Sequence, residues 1–183
     1  MKAREADLLI LPGLGGGTDD HWYRRWASRI ATATVVEQDE WDNPSPETWT
    51  DRILEHVAST SRPVVFLAHS LGTIALAHAA PKLANLNIRG AFLVAPPDLE
   101  TRLAMVPDAK DFLPVPRDPL PFPSLMAASK TDPYASHDAA GDLANAWGSL
   151  LVDAGDAGHI NADSGHGPWP EGLMTFTAFL GRL

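Results

Sequence analysis

Ser70 stands in Ala68-His69-Ser70-Leu71-Gly72, after the apolar run Val64-Val65-Phe66-Leu67 and before the helix-forming run Ile74-Ala75-Leu76-Ala77. Strand, small-x-Ser-x-small, helix is the pattern of a nucleophile elbow, a sharp turn that presents a serine hydroxyl. Strand and helix backbones close in around such a serine, so the residues two before and two after it must be small. Ala68 stands where glycine is often written, and alanine fits the same space. A serine hydroxyl is a poor nucleophile near neutral pH. It needs a base in hydrogen-bond reach and a third group that orients the base. In hydrolases with this elbow the chain order is serine, acid, histidine.

That order makes a narrow search. Asp132 lies just past an apolar strand in Ala128-Ser129-Lys130-Thr131-Asp132-Pro133, and Pro133 holds it extended. Asp98 is the rival acid, after an earlier strand. Asp132 is favoured because it keeps the order and follows a later strand. His159 follows the last strand in Gly155-Asp156-Ala157-Gly158-His159, where two glycines let the loop bend back. His166 is the rival base, further from the strand. His69 is expected to point away from Ser70, and the remaining histidines read as structural or exposed. The backbone N–H of Leu71 is one expected oxyanion donor. The other is Leu14 N–H, in the loop Pro12-Gly13-Leu14-Gly15-Gly16-Gly17 after the first strand. That loop lacks the lysine of a phosphate-binding loop, and Thr18 stands where a dinucleotide fingerprint has glycine. No nucleotide, metal or other cofactor is expected.

The elements that position these residues follow from hydropathy. Short apolar strands are expected at 8–11, 34–37, 64–68, 88–95, 124–128 and 150–153. Helices are expected after Asp19 or Asp20 (carrying Trp22, Trp26 and Ile30), at 47–58, at 71–80 ending near Pro81, at 139–147, and from Pro170 onward. Wholly apolar strands separated by helices imply an α/β fold, a mostly parallel six-stranded sheet covered on both faces. Residues 96–123 hold eight of the 16 prolines, too many for a long helix. This stretch reads either as a surface loop or as a loop near the ligand-binding ends of the strands.

The 183 residues imply one domain, and 45% apolar content suits a globular core. A net charge of -9 with no Lys/Arg run argues against nucleic acid as a partner. The absence of cysteine removes disulfides, thiolate metal sites and a thiol nucleophile, and fits a reducing compartment. The charged N-terminus with its brief apolar run fits neither a signal peptide nor a membrane span. A cytoplasmic protein with no membrane partner is expected. Oligomeric state leaves no mark in the sequence.

Taken together the chain resembles small serine hydrolases of the α/β-hydrolase superfamily similar to retinoblastoma-binding protein 9 and its bacterial relatives. The likeness rests on Pro12-Gly13-Leu14-Gly15 with His21-Trp22 and Trp26, on Ala68-His69-Ser70-Leu71-Gly72, on Ser129-Lys130-Thr131-Asp132-Pro133-Tyr134 and on Gly158-His159-Ile160-Asn161. Ser164-Gly165-His166-Gly167-Pro168-Trp169 is similar to the bacterial members. The resemblance implies Ser70 as nucleophile, Asp132 as acid and His159 as base, on a six-stranded sheet. Without cysteine the chain carries no L-x-C-x-E motif, so a retinoblastoma-type partner has no support.

The expected function is hydrolysis of small carboxylic esters, with amides or thioesters as variants, through an acyl-enzyme. The alternatives are an acyltransferase and a binding module on a hydrolase scaffold. No segment is long enough for a helical lid, which implies short acyl groups. Trp22, Trp41 and Trp169 read equally as walls of the site or as core.

Overall fold

The computed structural model describes all residues, Met1–Leu183. Six strands form one sheet: β1 (Asp7–Leu11), β2 (Ala33–Val35), β3 (Val64–His69), β4 (Ile88–Val94), β5 (Ser124–Ala128) and β6 (Leu150–Asp153). Their spatial order is β2-β1-β3-β4-β5-β6, and every neighbouring pair is parallel. The fold is the α/β-hydrolase arrangement expected. The sheet is flanked by α1 (Trp22–Ala27), α2 (Pro46–Ser59), α3 (Leu71–Leu83), α5 (His137–Trp147) and α6 (Pro170–Leu180), with a single-turn α4 (Leu99–Arg102) after β4. No helix is long and apolar enough to cross a membrane.

Strand alternation divides the core into two halves. Leu9 and Leu11 of β1, with Val64, Phe66 and Ala68 of β3, face one side. There they meet Trp49, Ile53 and Val57 of α2, Ile74 and Leu83 of α3, and Leu143 and Trp147 of α5. Leu8 and Ile10, with Val65 and Leu67, face the other side. They meet Trp22 and Trp26 of α1 and Phe176, Phe179 and Leu180 of α6. This is why the central strands are apolar at every position: both faces are buried.

Chain order reverses between β1 and β3. The loops after these two strands therefore part around a crevice, the usual ligand position in an open parallel sheet. The glycine-rich loop leaves β1 there, and Ser70 leaves β3 beside it.

Boundaries differ from expectation where tertiary contacts act. Neither Asp19 nor Asp20 caps α1. His21 occupies the cap position without a side-chain bond, Trp22 N–H donates to His166 O (3.2 Å), and Asp20 pairs with Arg25 on the surface. A backbone carbonyl from a distant loop replaces the local carboxylate. α1 also ends at Ala27, short of Ile30. α3 runs through Pro81 to Leu83, because one lost N–H bond is outweighed by burial of Leu83 in the core. β2 lies at Ala33–Val35, starting one residue and ending two residues earlier than read, and Glu37 pairs with Arg24. The proline-rich stretch holds α4 and two 3-10 turns, Leu103–Met105 and Pro107–Phe112, consistent with its lack of a long helix.

Two glycines make opposite demands on the packing. A Cβ on Gly72 would fall 2.3 Å from Leu11 O and 2.5 Å from Pro12 O, both backbone atoms at the end of β1. On Gly141, inside α5, a Cβ would meet only Leu151 Cδ2, at 3.8 Å. Gly72→Ala should therefore lower the unfolding free energy by about 1–3 kcal/mol through overpacking. Gly141→Ala should raise it by about 0.4–1 kcal/mol through reduced unfolded-state entropy. Urea midpoints for both variants check the two signs.

Candidate active site

The turn after β3 carries local strain. Ser70 has φ 51° and ψ -127°, a conformation that L-residues avoid. Such strain persists only where surrounding structure over-determines it. Here Ser70 N–H donates to Val94 O (2.9 Å) at the end of β4. On the other side Gly13 is pressed against the serine, so that a Cβ there would lie 2.7 Å from Ser70 Cβ. Glycine at 13 is thus a close-approach requirement rather than a turn requirement.

Ser70 Oγ–H donates to His159 Nε2 at 2.9 Å. His159 Nδ1–H donates to Asp132 Oδ2 at 2.9 Å and Oδ1 at 3.0 Å. The carboxylate accepts only, so it fixes the imidazole tautomer with the proton on Nδ1. Asp132 is itself held by Tyr134 N–H, which donates to Oδ1 at 2.9 Å. The side chains of His159 and Asp132 are nearly withdrawn from water, at 9% and 3% exposure. In that setting their hydrogen bond is little screened.

The loops carrying the acid and the histidine are joined. Ala157 N–H donates to Ser129 Oγ (2.9 Å), and Ser129 Oγ–H donates to Gly155 O (3.2 Å). Gly158 N–H donates to Thr131 Oγ1 (3.0 Å). Gly155 and Gly158 adopt φ 70° and 56°, the bend expected of them. Thus the distance between Asp132 and His159 is set by their own loops, independently of the elbow.

The two rivals lie elsewhere. Asp98 caps α4, where its carboxylate accepts from Thr101 N–H (3.2 Å) and Oγ1 (2.5 Å). His166 accepts or donates at Nδ1 with Ser164 Oγ (3.2 Å) and packs edge-on against Trp169. Of the tryptophans, Trp22 and Trp169 are buried with the α1–α6 core, and Trp41 packs against Trp49 beneath Gly16. Trp22 and Trp169 are core, Trp41 is half-buried against it, and none of the three lines the cavity over Ser70.

The loop after β1 turns beside Ser70. Leu14 N–H donates to no backbone acceptor, unlike Gly15 N–H, which donates to Trp41 O, and Gly16 N–H, which donates to Gly13 O. Leu71 is the first residue of α3, so its N–H has no intrahelical acceptor. Arg24 Nε and Nη2 brace the loop from behind by donating to Gly16 O (3.2 and 2.9 Å).

A cavity of about 350 Å³ opens over Ser70. Besides the two loops it is lined by His21, Tyr23, His69, Tyr134, Asn161 and Val106. Val106 shows that the proline-rich stretch reaches the site. Sequence reasoning missed the inner residues. His69, expected to point away from Ser70, lines the same cavity and is buried against His159. Its Nε2–H donates to His159 O at 3.0 Å, and the rings lie 4.9 Å apart. His21 stacks on Tyr23 at 3.8 Å and meets His69 edge-on at 4.7 Å. The signal was the step of one residue along β3, which sends His69 toward the aromatic α1 face.

The family model described as serine hydrolase matches residues 8–178. The chain belongs to the serine hydrolase family. This enzyme is 32% identical to a YdeN-like hydrolase from Pectobacterium atrosepticum; the match covers 97% of this chain and 91% of that one, with a TM-score of 0.86. The ydeN gene product of B. subtilis is 20% identical over 96% of this chain and 99% of that one, at a TM-score of 0.77. A hydrolase of the α/β superfamily from Xanthomonas campestris pv. campestris is 18% identical over the whole of both chains, at a TM-score of 0.70. No curated protein matches the chain. The enzyme is thus a small serine hydrolase of the α/β-hydrolase superfamily, as the resemblance implied.

The buried imidazoles carry a pH signature. Burial, with the His159 ring beside it, lowers the His21 pKa to about 3, and the same causes hold His69 well below its ordinary value. Both stay neutral when folded, whereas the unfolded chain binds their protons near pH 6.5. The His21 shift leaves stability intact above about pH 6.5 and removes it progressively as pH falls toward 3, and the lowered His69 acts in the same direction. At pH 5 the His21 shift should cost about 2 kcal/mol relative to pH 7.5. Urea unfolding at the two pH values should show the loss, and His21→Phe should flatten the slope.

Proposed function

We propose that Ser70 is the nucleophile, His159 the general base and acid, and Asp132 the orienting carboxylate of an enzyme that hydrolyses small carboxylic esters. The observation that carries this reading is the unbroken chain Ser70 Oγ–His159 Nε2, His159 Nδ1–Asp132, set on a strained elbow at the head of a helix. As Ser70 Oγ bonds to the ester carbonyl carbon, its proton passes to His159 Nε2. The imidazolium formed is stabilised by Asp132. The carbonyl oxygen becomes an oxyanion, and the N–H groups of Leu14 and Leu71 supply its two donors. Collapse breaks the carbon–oxygen bond to the alcohol, which takes the proton from His159. Water then repeats the sequence on the acyl-enzyme, releasing the carboxylic acid and restoring Ser70.

Burial of His69 behind His159 supports the same scheme. Its N–H holds the His159 backbone while Asp132 holds the ring, so the imidazole is aimed before substrate arrives. A cytoplasmic setting fits the cysteine-free chain. Three residues acting as one unit lose their effect together, so the reading has a distinctive kinetic form.

A fluorophosphonate should label Ser70 and no other residue, located by mass spectrometry. Ser70→Ala should abolish labelling and cut turnover of short p-nitrophenyl esters by several orders of magnitude, leaving about 10³-fold over water. Asp132→Asn should lower kcat by about 10⁴ with the fold intact. Ser70→Ala combined with His159→Ala should cost little more than either alone. Labelling that survives in Ser70→Ala contradicts the assignment.

The cavity also limits the acyl group. It is small and rimmed by polar residues, and only Val106 reaches in from the proline-rich stretch. An alkyl chain projecting into water gains none of the roughly 0.8 kcal/mol available per buried CH₂. From acetyl to palmitoyl esters, kcat/KM should stay flat or fall, with no jump at a lipid interface. A steep rise with chain length contradicts this.

A further inference from the structure

The inner wall of the cavity contains polar groups that the mechanism above does not use. His21 is 4% exposed, and its Nδ1 is buried with no hydrogen-bond partner. A buried polar atom left unpaired costs about 1–3 kcal/mol, so its retention calls for a cause. The ring lines the cavity together with Tyr23, which stacks on it. The Tyr23 hydroxyl is pressed against the loop at Gly17, where a Cβ would fall 2.1 Å from Oη.

Both groups are uncharged in the folded protein. Burial keeps His21 neutral, with one donor and one acceptor nitrogen, and raises the Tyr23 pKa so that its hydroxyl remains a donor. No lysine or arginine lines the cavity, and Asp163 at its edge is acidic. A carboxylate or phosphate on the substrate finds no counter-charge. A plain alkyl group fits poorly too, because it offers these polar groups no hydrogen-bond partner. A hydroxyl both donates and accepts, which matches what His21 and Tyr23 offer.

We propose that His21 and Tyr23 form a specificity wall that selects esters bearing an uncharged hydroxyl group next to the scissile linkage. This rests on the assignment of Ser70 as nucleophile and names the substrate class of that site. The two residues are specificity-determining and take no part in proton transfer to the reacting atoms.

The test uses pairs in which a hydroxyl replaces a methyl of equal size. On the acyl side the pair is ethyl glycolate and ethyl propionate. On the alcohol side it is 2-hydroxyethyl acetate and propyl acetate. Each kcat/KM is divided by the rate constant for hydroxide-catalysed hydrolysis, which removes intrinsic reactivity. The wild-type enzyme should prefer the hydroxylated member of at least one pair by about tenfold or more, the effect of one or two hydrogen bonds. His21→Phe and Tyr23→Phe should each bring that ratio toward one. Tyr23→Phe keeps the ring and its packing, so it decides the matter even where His21→Phe does not fold. A wild-type ratio near one in both pairs overturns the proposal, as does a ratio that persists in Tyr23→Phe. If Ser70 takes the fluorophosphonate while both ratios stay near one, the wall is refuted and the nucleophile assignment stands. If Ser70→Ala still turns over both pairs at rates near wild type, the assignment falls and the wall with it.

Discussion

The close approach of β1, β3 and α3 around Ser70 is the constraint on which the site depends. Gly72 lies against the carbonyls of Leu11 and Pro12, and Gly13 lies against the serine itself. A side chain at either position would separate the helix head from the loop after β1. The N–H groups of Leu14 and Leu71, the proposed oxyanion donors, would then be moved apart. The positive φ of Ser70 is the local cost of this geometry, and the β3–β4 pairing, extended by Ser70 N–H to Val94 O, holds it in place. Strain at the elbow is therefore sustained by the sheet together with the local bonds from Thr73 N–H (2.9 Å) and Oγ1–H (2.7 Å) to Ser70 O.

A second unit is built separately and then presented to the first. Ser129 and Thr131 tie the loop after β5 to the loop after β6, so Asp132 and His159 meet through short-range bonds. Parallel pairing of β5 with β6 brings the two loops out at the same sheet end. His69 is the link between the units. It belongs to the elbow strand, and it donates to the His159 backbone. Three imidazoles in van der Waals range are tolerable only because two of them stay neutral when buried.

The aromatic packing behind the site makes those histidines possible. Trp22 donates its indole N–H to Ile160 O (2.9 Å), fastening α1 to the histidine loop. Trp22, Trp26 and Trp169 pack together beneath it. This block excludes water from His69, whose Nε2–H is taken up by His159 O. The same packing leaves His21 Nδ1 without a partner. The polar wall and the rigid histidine mount are thus two results of one aromatic cluster.

Much of this was legible in the sequence, for reasons of chain locality. The elbow is written in five consecutive residues, because strand, turn and helix head are contiguous. Wholly apolar strands report a sheet buried on both faces, and proline density excludes a long helix from residues 96–123. Asp132 and His159 were narrowed by order along the chain, since each must leave a late strand. What the sequence did not contain was distance between segments. That Trp22 N–H finds His166 O instead of an aspartate cap depends on a contact across some 140 residues. The burial of His69 and His21 depends on which face of β3 meets α1. The fate of the three tryptophans depends on how α1 and α6 close over that face. Such choices are made by packing of distant surfaces, which local pattern does not encode. Tertiary structure alone therefore decided what stands behind Ser70, while the sequence by itself determined that a serine would be presented there.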